Sequence, residues 1–235
     1  MSSIQNSTAI DSQAYLRFIC DQAHNGRWNM AVDEFLLRSQ IQKKDQNPIL
    51  RFYRFDDSAV TVGYGIWRSV VQEKSHSTPF IRRITGGGMV LHGQRDLTYS
   101  LIVPLERCKM LRRVRRSYFL IHDTLKKSLR HFGIQTDLFE KDCANQQDAY
   151  CFDSPVKYDV MLSGKKIAGA GQKRTLGYLL HQGSIAWGEL TQASSHLSES
   201  DFYCEFSTAL GNLFGVQTKE IEFVAEELKE MAALA

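Results

Sequence analysis

Three consecutive glycines, Gly86–Gly88, stand between two apolar, branched segments, PFIRRI before and MVLH after. Glycine loses more conformational freedom on folding than any other residue. A run of three is therefore expected only where the chain must take positive φ or let another group touch its backbone. The flanking segments then have to be separate strands joined through an open loop. Arg82 and Arg83 precede that loop directly. Exposed amide N–H groups beside two guanidinium groups suit an anion or a polarised carbonyl, and a wide β-turn is the plain structural alternative. Neither G-x-x-x-x-G-K-[ST] nor a helix-opening G-x-G-x-x-G is present, so the standard phosphate loops do not apply.

Other strands are predicted at 50–55 and 59–64 around the turn Asp56-Asp57-Ser58, and at 97–103 after the turn Gly93–Asp96. YDVML and KIAGAG, hinged at Ser163-Gly164, read as a hairpin, and LLHQGSIAW as a further strand. Residues 27–40 have helical spacing with Asn29 as a cap, and a long helix at 112–132 closes at Gly133. The C-terminal part reads as helical, with Ile221, Val224, Leu228 and Met231 as one core-facing stripe. Strands grouped centrally with irregular helices predict an α+β fold.

The chain has 235 residues, 43% hydrophobic and 23% charged, the composition of a globular protein with a full core. No repeat or linker divides it, so one domain over 1–235 is expected, with 1–13 as a flexible start. No apolar run is long enough to cross a bilayer. The five cysteines are scattered, without C-x-x-C or zinc spacing, so no metal site is expected and a cytoplasmic setting is. Arg107, Lys109, Arg112, Arg113, Arg115 and Arg116 form a basic cluster. It reads either as a solvated helical face or as a docking patch for an acidic partner.

Three further residues are candidates for chemistry. His92 ends the strand leaving the glycine loop, where a structural and a site role are both open. Cys151 follows the polar stretch DCANQQDAY, a setting that favours reactivity over core packing. Lys166 opens a strand of small residues through Gly169 and Gly171, where a ligand can pack on the backbone. There it can hold a carboxylate, carbonyl or phosphate, or else be an edge lysine like Lys165.

RRITGGGMVLHGQRDLTYS resembles the Arg-Arg, triple-Gly, His and Tyr-Ser signature of the lipoate-protein ligase and octanoyltransferase superfamily. GKKIAGAGQKRTLGYLLHQGSIAW is similar to its second signature, and NMAVDEFLL to its N-terminal helix motif. The resemblance implies a catalytic domain shared with biotin-protein ligases, a mixed β-sheet flanked by helices, with no C-terminal accessory domain in this chain. It implies acyl or substrate binding by Arg82, Arg83, Gly86, Gly87, Gly88, His92, Tyr99, Gly169 and His181, with Lys166 on the acyl carbonyl.

Tyr150–Pro155 resembles the Cys-Phe-Asp-x-Pro segment of the cysteine-dependent octanoyltransferases. That implies a Cys151 thioester loaded with an octanoyl or lipoyl group from acyl carrier protein. A lysine of a lipoyl domain then attacks it, on the glycine-cleavage H protein or a 2-oxoacid dehydrogenase E2. Lys166 or a protonated His92 would lower the thiol's pKa. No cofactor is needed on that reading, and no nucleic acid or membrane is implied as a partner. The alternatives are an ATP- and Mg²⁺-dependent lipoate-protein ligase working through lipoyl-adenylate, and a non-catalytic acyl-binding module.

Overall fold

A computed structural model describes residues 14–71, 78–141 and 154–233. In chain order, β1 (Tyr15–His24) leads to α1 (Gly26–Lys43), β2 (Ile49–Phe55), β3 (Ala59–Val62) and the short α2 (Trp67–Val71). Then come β4 (Phe80–Arg82), β5 (Met89–His92) and β6 (Leu97–Pro104). A 3₁₀ turn at Lys109–Arg112 enters α3 (Val114–His131), followed by β7 (Asp137–Leu138), β8 (Val160–Leu162), β9 (Lys165–Thr175) and β10 (Tyr178–Ile185). The chain continues through α4 (Trp187–Ala193), α5 (Glu199–Phe214), β11 (Gln217–Glu220) and α6 (Ala225–Ala232).

Among the described residues the strands form an eight-stranded sheet, β11-β1-β2-β6-β10-β9-β8-β7, and a three-stranded sheet, β4-β3-β5. The large sheet is mixed: β11, β1 and β2 run parallel, and the later neighbours pair antiparallel. Alternation along the strands sends successive side chains to opposite layers. Leu101 and Val103 pack with Ile121, Leu125, Phe202 and Phe206 of α3 and α5. Ile102 faces the other way, with Val32, Phe35 and Leu36 of α1. The α+β sheet flanked by helices is thus the fold that forms. No helix among the described residues is long and apolar enough to cross a membrane.

Local turn chemistry agrees with the predicted hairpin: Ser163 and Gly164 both have positive φ, 49° and 80°. Gly133, at φ 77°, follows the end of α3 as expected.

Two local expectations are corrected. Asn29 is not the cap of α1; Asn25 is, its side chain accepting from Trp28 N at 2.9 Å. Asn29 lies a turn inside and is fully buried, where its amide donates to His24 O and Arg54 O. The C-terminal stripe also fails. Residues 217–220 are a strand, and Ile221 N continues the pairing by donating to Phe18 O at 3.0 Å. Helix α6 starts only at Ala225, and of the four stripe residues Val224 and Leu228 are exposed while Met231 is buried. Pairing with β1 satisfies backbone groups that the helical periodicity had assigned elsewhere. Strand β1, in a segment the periodicity leaves unassigned, is itself held by β11 and β2, both distant in sequence.

Candidate active site

The open loop required by the glycines lies between the two sheets. Gly87 has φ 101°, a conformation that side chains rarely adopt. Arg83 holds the loop from within: its guanidinium donates to Thr61 O, Gly86 O and Gly88 O at 2.9–3.0 Å. Beneath, Gly86 N donates to Gln172 O at 3.2 Å, and a Cβ on Gly171 would come within 2.5 Å of Gly86 O. Gly171→Ala is therefore expected to lift the loop, lowering the unfolding free energy by about 1–3 kcal/mol. Faster hydrogen exchange at residues 85–88 would report the displacement, and unchanged exchange would refute the close packing.

A cavity of about 260 Å³ opens between this loop and the large sheet. That is at the small end for ligand pockets, which start near 300 Å³, and suits a slender molecule. Register explains its floor: Tyr53, Thr98, Ser184 and Gly169 are successive neighbours across β2, β6, β10 and β9, and all four line the cavity. Tyr118 from α3 also lines it, as do Val156 and Lys157. The hydroxyls of Thr98 and Ser184 and Nδ1 of His92 are buried and make no hydrogen bond within the described residues. The cavity thus has unpaired polar atoms buried just behind a largely apolar wall.

Lys166 lies in this cavity, its side chain 5% exposed, paired to Asp159 at 2.8 Å. A Cβ on Gly169 would lie 2.6 Å from Lys166 Cε, so the glycine makes the room in which the lysine stem lies. Asp159 Oδ2 also accepts from Val156 N at 2.8 Å. Sequence reasoning missed Asp159, yet the hairpin carried the signal. In register, Val160 faces Ala168 and Met161 faces Lys166, which brings the preceding Asp159 to the same spot. Lys165, next door, is exposed.

His92 lines the cavity, stacked on Phe55 at 4.1 Å, with Nε2 2.8 Å from Thr61 Oγ1. Burial first, and then the Arg83 charge, push its pKa down to about 3. It is neutral near pH 7, which corrects the expectation of a protonated His92.

The remaining predicted residues divide. Gly87, Gly88 and Gly169 line the cavity with Arg83. Arg82 is exposed and lies 5.4 Å from the centre of the Tyr64 ring, outside the lining. Gly86 supports the loop. Tyr99 and His181 are buried behind the lining, joined at 3.1 Å between hydroxyl and Nε2. Gln172 Nε2 donates to His181 Nδ1 at 2.7 Å. Burial first, then His122 and Arg174, hold His181 well below the usual histidine pKa. Cys151 lies outside the described residues.

Under the floor is a network to which the sequence reading gave no role, although the motifs contain Asp33, Ser100 and Gln182. Asp33, fully buried, accepts from Arg51 Nη1 (2.8 Å), Tyr53 OH (2.8 Å), Ser100 Oγ (2.7 Å) and Gln182 Nε2 (2.7 Å). Gln182 Oε1 in turn accepts from Thr85 Oγ1 at 2.7 Å, at the root of the glycine loop. Burial, then Asp33, raise the Tyr53 pKa well above its usual value, so the phenol stays a donor. Among the described residues no group of three or more His, Cys, Asp or Glu is placed to hold a metal ion.

Residues 25–226 match the family described as the lipoyl protein ligase A/B catalytic domain. The octanoyltransferase LipM of Brevibacillus brevis is 34% identical over 182 residues, 72% of this chain and 64% of that protein. LipM of Bacillus subtilis is 35% identical over 180 residues, again 72% and 64%. The chain thus spans less than two thirds of the length of either relative. Among solved structures, protein Ta0514 of T. acidophilum with bound lipoic acid superposes with a TM-score of 0.71 at 21% identity, covering 94% of each chain. A lipoate-protein ligase A bound with ATP superposes with a TM-score of 0.66, also at 21% identity, covering 94% of this chain and 93% of that one.

Proposed function

Because the chain belongs to the lipoyl protein ligase A/B catalytic-domain family, we propose that it transfers an octanoyl group, or a lipoyl group, onto a lysine of a lipoyl domain. The donor is acyl carrier protein, the acceptor a protein such as the glycine-cleavage H protein, and the setting the cytoplasm. The observation that carries this reading is the slender cavity with Lys166 in its wall under a glycine loop. The octanoyl group is preferred because the matched relatives are octanoyltransferases.

The covalent step is assigned to Cys151, three residues in sequence before Ser154, which lines the cavity. Its thiolate attacks the donor thioester carbonyl, and the carrier thiol leaves with a proton. The acceptor lysine amine then attacks the acyl-cysteine, an amide forms and the Cys151 thiol is restored. One thioester is exchanged for another in the first half, so no ATP is consumed. Lys166 is assigned the stabilisation of the oxyanion of each tetrahedral intermediate. Arg83, Gly87, Gly88 and Gly169 shape the cavity around the acyl chain. Tyr99, His181 and Gly86 act through the floor and the loop, and Arg82 from outside it.

Incubation with octanoyl-acyl carrier protein without ATP, followed by intact mass measurement, is expected to add one octanoyl group. Cys151→Ala is expected to abolish that adduct. Lipoate-dependent ATP–pyrophosphate exchange that survives Cys151→Ala would overturn the assignment.

A further inference from the structure

The basic cluster remains outside the chemistry. Lys109, Arg112, Arg113, Arg115 and Arg116 are all exposed, and so are the apolar Met110 and Val114 among them, at 48% and 54%. No acidic residue occurs from Arg107 to His122, although Arg112 pairs with the earlier Glu106. Helix α3 opens without a side-chain cap and with no acidic residue in its first turn. The positive end of a helix dipole disfavours cations, so Arg115 and Arg116 there work against helix stability. A local rule broken at such a cost marks a surface kept for another purpose.

This surface adjoins the cavity. Tyr118, in the cavity wall, shares a helix face with Val114 and Arg115, four and three residues before it. Ser117 Oγ donates to Gln172 Oε1 at 2.8 Å, and Arg174 donates to Leu111 O at 3.0 Å. The same Gln172 holds the glycine loop through its carbonyl. Between Gln172 and Arg174, Lys173 lies 5.5 Å from the centre of the exposed Tyr64 ring, which Arg82 also approaches. Positive charge therefore continues from the start of α3, along β9, to the flank of the glycine loop.

We propose that this face docks an acidic protein, the carrier that delivers the acyl thioester. The inference rests on the acyl-transfer reading above. Apolar side chains interleaved with the charges suit a protein interface, whereas a phosphate backbone is contacted mainly through charge and hydrogen bonds. The donor is assigned here because it alone brings the acyl chain, and the Tyr118 and glycine-loop wall that this face adjoins lines the cavity that would receive it.

The test measures binding of octanoyl-acyl carrier protein to the full chain at low and high salt, for the wild type and for Arg113→Glu/Arg116→Glu. The variant is expected to bind at least about tenfold more weakly and to lose the wild type's salt dependence. Arg113→Gln/Arg116→Gln should lose less. Transfer from octanoyl-pantetheine, too small to reach this face, should stay within about twofold, which also controls for folding. Equal carrier binding by wild type and variant would overturn the proposal. So would loss of lipoyl-domain binding in place of carrier binding, or wild-type binding of a DNA duplex as tight as that of the carrier. Carrier binding that depends on the patch, in a wild type that neither donor acylates, supports the docking face and counts against the transfer chemistry instead.

Discussion

Lys166→Met is expected to lower acyl transfer by about 10²–10³-fold, the scale of losing one preorganised donor to a tetrahedral oxyanion. It is also expected to destabilise the fold. Lys166 and Asp159 are 5% and 3% exposed and 2.8 Å apart, so removing the ammonium strands a buried carboxylate. Breaking such a pair from one side costs about 3–5 kcal/mol. The two effects separate in the double variant Lys166→Met/Asp159→Asn. Removing the orphaned charge should recover much of the stability, measured by urea unfolding, while transfer stays lost. Recovery of transfer together with stability would show that Lys166 has only a structural role.

Asp33→Ala is the second large effect. One carboxylate satisfies Arg51, Tyr53, Ser100 and Gln182, and the Arg51 side chain is fully buried. Asp21 pairs with Arg51 at 2.7 Å and would compensate only in part. The expected loss is about 3–5 kcal/mol in unfolding free energy, because a buried guanidinium loses a charge partner and three other donors lose their acceptor. The same change frees Gln182 and with it Thr85, so the glycine loop should exchange its amide hydrogens faster even in conditions where the protein stays folded. A loss below about 1 kcal/mol, the scale of an ordinary surface change, would refute the role of the network.

These two residues differ in how far the sequence announced them. Lys166 stood out because small residues follow it and a Ser-Gly hairpin precedes it, and both are local signals. Asp33 lies within a helix whose spacing says only which face is buried. Nothing local distinguishes an aspartate facing solvent from one facing Arg51, eighteen residues away, and Gln182, 149 away. His92 marks a third case. Its position after the loop was readable, but its charge state was not, since burial and the Arg83 guanidinium set it.

The glycine loop, the hairpin and the presence of the central strands follow from short-range rules: glycine conformational freedom, turn chemistry and the two-residue period of a strand. The motif resemblance added the fold. Tertiary structure alone decided the rest. Strands β1 and β11 pair in parallel with partners far along the chain, so no local pattern announced them, and β11 formed within a stretch expected to be helical. Tertiary structure also placed Tyr118 in the cavity wall and carried the basic start of α3 to the loop's flank. Such contacts are decided by which distant groups must share burial, and that is a property of the packed chain rather than of any segment in it.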